Sequence, residues 1–223
     1  MKIINNELRK VSEFDIKNGT FIIPEEVEKI GTGAFKKMPR LKRIEIPKNV
    51  KEIGESAFCY CQNLEEVIFH DDIHTIRSIA FFRNTSLREI KLPKNLTNLG
   101  DYAFAICLSA NNIEINENLS EIPRGCFSIC SSLKEINIPK NINKLEEFSF
   151  EKCFNLSKIN FEGTPKTVEP FTFYDTINIE SAMINGEYYE APNDSYLDIL
   201  INDGIASVKY NHKDKPKTRK KIK

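Results

Sequence analysis

A single repeat period, kept along most of the chain, constrains the fold of this sequence more than any other feature. The period is clearest in a column of phenylalanines at every twenty-third position: Phe35, Phe58, Phe81, Phe104, Phe127, Phe150 and Phe173. Five further apolar columns keep the same register and begin at Val27, Ile30, Leu41, Ile44 and Ile46. One such unit cannot bury its own apolar face, but stacked units share a continuous core. The sequence therefore predicts a β-rich repeat solenoid with 23-residue turns.

Each unit contains the signals of two extended segments joined by turns. Segments such as LKRIEIP at 41–47 alternate apolar and polar residues, which is typical of a short strand with one buried face. Equivalent strands of successive turns are expected to lie parallel, about 4.8 Å apart. Proline ends this strand, as at Pro47, because it offers no donor to a ladder. A second extended piece is predicted to end near glycines such as Gly54, and the AFxxC segment is predicted to be a short helical or 3₁₀ turn.

The repeat pattern LxxIxIPxxVxxIGxxAFxxC stands as LKRIEIPKNVKEIGESAFCYC from Leu41 to Cys61. It resembles the BspA-like, treponemal-type leucine-rich repeat. The resemblance covers residues 20–174 and implies a curved solenoid, a right-handed coil with a parallel strand ladder, that binds proteins or surfaces. No catalytic residues or cofactors accompany the family pattern. The sequence departs from it at Ala110, His70, Pro123 and Glu146.

Four regions follow from where the repeat signal begins and ends. Residues 1–19 are predicted to cap the N-terminal end, and residues 20–174 to form six to seven repeat units. Residues 175–210 are predicted to be a small α+β C-terminal cap. This cap would contain a hairpin around Asn185-Gly186, a short helix from Asp194 or Ser195 to Gly204, and a strand at 205–210. Residues 211–223 are predicted to be a flexible basic tail.

The charge distribution separates the tail from the body. The tail from Lys213 to Lys223 has seven basic residues and one acid, which leaves the body with 25 basic and 31 acidic residues, a net charge of −6. A specific nucleic-acid-binding domain would place positive charge on its folded surface. With no apolar run near the roughly 18 residues needed to span a membrane and no signal-like N-terminus, we expect a cytoplasmic protein. A nuclear location is the alternative if the host is eukaryotic or viral.

Six cysteines raise the question of disulfides or zinc. Cys61, Cys107, Cys130 and Cys153, hereafter the cysteine column, share one repeat position with Met38. A position shared with methionine is typical of a core, so we predict buried free thiols. Disulfides between neighbouring turns are a less favoured alternative, because stacked residues point the same way and the chain looks intracellular. A zinc site is less favoured still, because the paired CxxC spacing is missing.

Catalysis is disfavoured by the repeat pattern and by the missing motifs. His70, His74 and His212 are expected at the surface, and Cys59 would act as a nucleophile only beside an activating base. No nucleophile elbow, metal-binding helix motif or phosphate-binding glycine loop is present. We therefore predict no enzymatic activity, no metal and no cofactor.

The outward positions of the first strand are the predicted binding face for a protein or another macromolecule. They form two columns: Arg43, Glu66, Glu89, Asn112, Glu135 and Lys158; and Glu45, Ile68, Lys91, Glu114, Asn137 and Asn160. Opposite charges in neighbouring turns suit cross-strand pairing, so a self-satisfied solvated face is the alternative interpretation. Ile68 is expected as the exposed apolar exception.

Two further expectations concern function. The tail residues Lys215, Lys217, Arg219, Lys220 and Lys221 are a possible polyanion-binding or localisation segment, with a solubilising terminus as the alternative. The whole pattern favours a non-catalytic interaction scaffold. A surface or secreted adhesin, exported by a non-standard route, is the alternative.

Overall fold

The computed structural model describes residues 1–176 and 178–190 of the chain. In this part the chain forms 18 short strands: β1 Lys2–Ile4, β2 Glu7–Lys10, β3 Thr20–Phe21, β4 Lys29–Ile30, β5 Arg43–Glu45, β6 Glu52–Ile53, β7 Glu66–Ile68, β8 Thr75–Ile76, β9 Glu89–Lys91, β10 Asn98–Leu99, β11 Asn112–Glu114, β12 Glu121–Ile122, β13 Glu135–Ile138, β14 Lys144–Leu145, β15 Lys158–Phe161, β16 Thr167–Val168, β17 Ser181–Ile184 and β18 Glu187–Glu190. A 3₁₀ helix, Glu13–Asp15, lies between β2 and β3 and is capped by Ser12.

The strands form two ladders along the solenoid. The first ladder contains the eight strands β3, β5, β7, β9, β11, β13, β15 and β17, and the second contains β2 with the even-numbered strands β4 to β16. Residues one repeat period apart pair in parallel, as Ile44 does with Val67 and Ile30 with Ile53. The predicted 23-residue turns and parallel strand ladder are confirmed.

Hydrogen bonding is interrupted at three places along the ladders. The first ladder divides between β7 and β9 and between β11 and β13, and the second between β10 and β12. The break in the second ladder has a chemical cause. In other turns the residue after the strand donates its N–H to the turn before it, as Gly100 N does to Ile76 O and Glu146 N to Ile122 O. Pro123 takes this position between β10 and β12, and proline has no N–H to donate.

The core is a stack of phenylalanine rings. The seven members of the Phe35 to Phe173 column are fully buried, and neighbouring ring centroids lie 4.7 to 6.1 Å apart with nearly parallel planes. At the N-terminal end Phe21 meets Phe35 edge to face at 5.2 Å. Since each of these rings except the last, Phe173, has a ring on both sides, the core is continuous from turn to turn.

The AFxxC segment differs from the prediction. It contains no helix; Glu13–Asp15 is the one 3₁₀ helix in the described ranges. Each segment instead places two residues in the left-handed region, such as Ser56 (φ 56°) and Tyr60 (φ 64°). This alternation aims backbone N–H groups at the next turn, so that Phe58 N donates to Ala80 O at 2.7 Å. Only alternate N–H groups bond within the segment, as Cys59 N does to Ser56 O at 3.0 Å and Cys61 N to Phe58 O at 3.3 Å, so the chain makes single turns and no continuous helix.

Antiparallel hairpins lie at both ends of the described solenoid. β1 and β2 are joined by Asn5 and Asn6, with φ of 51° and 58°, and β2 begins the second ladder. β17 and β18 are joined by Asn185-Gly186, with φ of 51° and 79°, as the Asn-Gly signal favours. β17 also pairs in parallel with β15, so the hairpin extends the first ladder. The predicted helix, the strand at 205–210 and the tail lie outside the described residues.

Candidate binding face

The first ladder presents its outward side chains on one surface, which we name the strand face. Its short strands have their middle residues, such as Ile44 and Ile90, in the core and their flanking residues in solvent. The structure brings together all the predicted positions: Arg43, Glu45, Glu66, Ile68, Glu89, Lys91, Asn112, Glu114, Glu135, Asn137, Lys158 and Asn160. The predicted basic tail residues Lys215, Lys217, Arg219, Lys220 and Lys221 lie outside the described residues.

The middle of the strand face is paired within itself. Lys91 Nζ lies 3.3 Å from a carboxylate oxygen of Glu89 and 3.3 Å from one of Glu114. Asn112 Nδ2 donates to Glu89 Oε1 at 2.7 Å. The hydrogen bonds that Lys91 donates to Glu89 and Glu114 raise the pKa of its ammonium group. These side chains are about half exposed, so their pairing orders the surface more than it stabilises the fold.

Cross-strand pairs extend to both sides of this centre. Arg43 Nε lies 2.8 Å from Glu66 Oε2, which confirms the predicted pairing of opposite charges there. Asn160 Nδ2 donates to Asn137 Oδ1 at 3.2 Å. The backbone register also sets Lys158 opposite Glu135. Many polar side chains of the strand face are therefore paired with one another.

Apolar residues at the ends of the strand face were missed in the sequence prediction. Ile22 is 89% exposed and belongs to the Glu45 column, one repeat period before Glu45. Met183 is 41% exposed, lies one repeat period after Asn160, and pairs across the terminal hairpin with Tyr188, which is 59% exposed. Extending the period past the clear repeat units would have placed Ile22 and Met183 on this face.

The prediction that Ile68 is exposed was wrong. It was expected to be exposed, but it is half-buried. Its strand partner is Glu45, whose side chain lies on the same face one rung away. Ile68 is therefore not the exposed apolar exception that the sequence predicted.

The cysteine column confirms the prediction of buried free thiols. All four sulfurs lie in the core, and each thiol donates to the carbonyl oxygen of a phenylalanine 26 residues earlier, at 2.9 to 3.6 Å. Burial raises the pKa of Cys61, Cys107 and Cys153 to about 12 and that of Cys130 well above the ordinary value. A thiol that stays protonated and covered is a poor nucleophile.

Asn84 occupies the same repeat position as the cysteine column and was overlooked in the sequence. It is fully buried; its Oδ1 accepts from Cys61 N at 2.9 Å, whereas its Nδ2 has no hydrogen-bond partner. An unpaired buried amide costs stability. The turn containing Asn84 is therefore less well satisfied than its neighbours.

The remaining candidates for chemistry lie apart from one another. His70 and His74 are exposed, and His74 Nδ1 lies 3.1 Å from Asn95 O; His212 is outside the described residues. Cys59 is buried, and burial raises the pKa of its thiol. Residues 1–176 and 178–190 contain no group of three or more histidine, cysteine or acidic side chains arranged to hold a metal ion. In the same ranges, no helix has the length and apolar character required to cross a bilayer.

Two strands per turn, a parallel ladder and a stacked apolar core define a leucine-rich-repeat solenoid. A sequence model described as the BspA type leucine rich repeat region matches the chain in six copies, over residues 12–131 and 77–200. The chain belongs to this family. No curated protein matches the sequence.

Solved structures with this architecture include three bacterial proteins. The leucine-rich-repeat protein TpLRR of T. pallidum is 26% identical, with a TM-score of 0.64 over 72% of this chain and 73% of that one. A leucine-rich-repeat protein of Eubacterium ventriosum is 19% identical, with a TM-score of 0.60 over 78% of this chain. The pneumococcal vaccine antigen PcpA is 23% identical, with a TM-score of 0.55 over 80% of this chain. The last two likenesses concern the fold alone, and this chain spans 56% and 46% of their lengths.

Proposed function

We propose that this protein is a non-catalytic interaction scaffold and that the strand face binds another protein. Leucine-rich repeats in general mediate protein interactions, and the stacked core makes the first ladder a rigid support. The observation that carries the proposal is the exposure of apolar side chains at both ends of the strand face, Ile22 at one end and Met183 with Tyr188 at the other. Exposed aromatic and aliphatic residues on a preformed polar surface are typical of protein-binding patches.

The arrangement of charge supports the same function. Because the central charges are paired with one another, a partner can cover them without leaving a single charge buried and unpaired. The apolar ends then supply the surface whose burial drives association.

Site-specific crosslinking tests the proposal. A photoreactive amino acid placed at Glu114, in the middle of the strand face, should crosslink to a discrete protein in the native cells. The same group at Asn98, an exposed position on the second ladder, is the control and should not. Equal crosslinking from both positions, or from neither, would count against the strand face.

A binding measurement with the purified partner makes the test quantitative. Replacing Glu66, Lys91 and Glu114 together by serine should weaken the complex at physiological salt, because Arg43 and Glu89 then lose their ion-pair partners beneath the covering protein. The urea midpoint should stay nearly unchanged, because exposed ion pairs contribute only about 0 to 1 kcal/mol each. The matched control replaces Asn98 and Glu121 on the second ladder. An unchanged affinity in the strand-face variant would refute the proposal.

We also propose a cytoplasmic location, on the sequence features alone, and a supporting role for the tail. Deleting residues 213–223 should slow association, with an effect that shrinks as salt rises, since screening at about 0.15 M confines exposed charges to roughly 8 Å. Fractionation of the native cells tests the location. Recovery at the cell surface would favour the adhesin alternative.

A further inference from the structure

The N-terminal end of the strand face is a sheet of three strands. β3, β5 and β7 form a three-stranded sheet of their own, since the ladder is interrupted after β7. Its outward side chains lie in two columns. In one column Arg43 and Glu66 pair with each other at 2.8 Å.

The other column places a carboxylate between two isoleucines. Glu45 is the register partner of Ile68. Phe21 pairs with Ile44, so the same register sets Ile22 beside Glu45 on the opposite side. Ile22 is almost fully exposed and Ile68 is half-buried. The Glu45 carboxylate, with an isoleucine on each side, thus lies on the outer surface of the β3, β5 and β7 sheet.

Glu45 differs from the other charged residues of β5, β7, β9 and β11. Those residues all have ion-pair partners, including Arg43 with Glu66 and Lys91 with Glu114. Glu45 is exposed, and its side chain has neither an ion-pair nor a hydrogen-bond partner within the described residues. The carboxylate is therefore available to a group from outside the chain.

The chemistry of this column selects one kind of ligand. An unpaired carboxylate attracts a cation, and the isoleucines on both sides can cover the aliphatic stem of a lysine or arginine. They can also cover apolar side chains next to that cation. A phosphate-bearing partner, whether a nucleic acid or an anionic membrane, would be repelled by Glu45 and is not favoured.

We propose that the Ile22, Glu45 and Ile68 column binds an extended segment of a partner protein in which a lysine or arginine is flanked by apolar residues. This inference rests on the proposed function, since it specifies what one end of the strand face recognises. The basic side chain meets Glu45, and its apolar neighbours cover Ile22 and Ile68. The Ile22, Glu45 and Ile68 column is then the main recognition site, and the paired charges at the centre of the strand face add electrostatic complementarity.

Methyl NMR on the full chain tests the inference with a defined probe. The probe is a blocked peptide of sequence SIKIS, and the control peptide SIEIS carries glutamate in place of lysine. With isoleucine methyl groups labelled, SIKIS should shift the signals of Ile22 and Ile68 and leave core isoleucines unchanged. SIEIS should shift neither.

Two matched variants assign the effect to the carboxylate. Glu45→Gln should weaken SIKIS binding by about fivefold, the upper range for an exposed ion pair, and the weakening should shrink at high salt. Glu121→Gln removes an exposed acid from the second ladder, outside the strand face, and should leave binding unchanged. Unshifted core isoleucine signals verify that each variant is folded.

The inference is overturned if SIKIS shifts neither Ile22 nor Ile68, if SIEIS shifts them equally, or if Glu45→Gln binds as well as the parent. These outcomes leave the proposed function standing wherever Glu114 still crosslinks to a partner. Loss of crosslinking from Glu114 together with a positive peptide result would instead remove the proposed function and keep the peptide site.

Discussion

Replacing Phe104 by alanine removes a ring from the middle of the phenylalanine stack. The ring is fully buried, with centroids 5.0 Å from Phe81 and 6.1 Å from Phe127, and the edge of Phe69 faces it at 6.5 Å. Alanine would leave a cavity with a ring on each side. The rings are held by turns fixed to their own neighbours, so the cavity cannot collapse.

The expected cost is roughly 3 to 5 kcal/mol, the range for a buried phenylalanine reduced to alanine in a site that relaxes poorly. Phe171→Ala is the matched control. That ring is 51% exposed, stacks on Phe148 at one face and meets Tyr174 edge to face, so its loss should cost less than about 1 kcal/mol. The contrast tests burial rather than residue type.

Urea unfolding followed by circular dichroism measures both variants. With a slope of about 3 kcal/mol per M, the Phe104 variant should lose about 1 M or more in midpoint. Repeat arrays can lose cooperativity, so the slope should be compared as well as the midpoint. A midpoint for Phe104→Ala equal to that of Phe171→Ala would refute the stacked core.

Three further predictions concern single sites. The cysteine column should resist alkylation in the folded protein, and its thiols should react together on unfolding. Because burial raises the pKa of Cys61, Cys107 and Cys153 to about 12, the free energy of unfolding should fall as pH rises from about 9 to about 12. Cys107→Ala should flatten this pH dependence. Gly125→Ala should destabilise by roughly 2 to 3 kcal/mol in urea unfolding, because Gly125 has φ of +58° and a Cβ there would clash with the Tyr102 ring. Gly33→Ala, with φ of +63° and only ordinary contacts with Lys36, should cost only about 1 kcal/mol, and equal losses would contradict the steric reasoning. Asn84→Cys should stabilise the fold by about 1 to 2 kcal/mol in urea unfolding, because it removes the unpaired amide and restores a thiol able to donate to a carbonyl; a lower midpoint would show that the Oδ1 bond to the backbone is worth more.

The repeat period of the sequence is sufficient to predict that successive turns stack with like residues in register. A constant repeat period forces like residues into ladders, so the Phe104 column, the buried thiols and the outward position of Lys91 could all be read from spacing. The break between β10 and β12 was also encoded, because Pro123 stands where other turns use a backbone N–H. Local chemistry and periodicity are sufficient wherever one turn resembles the next.

Backbone conformation in the AFxxC segments and side-chain exposure along the strand face depend on contacts between turns, which the repeat spacing does not encode. Ile106 and Ile129 adopt φ near +60°, against the preference of β-branched residues, because their N–H groups donate to Ser128 O and Glu151 O of the next turn. No local pattern in the AFxxC segment could predict that conformation. Likewise, Ile22 and Ile68 occupy the same column, yet one is exposed and the other half-buried, since exposure is set by which neighbours lie on each side of a rung.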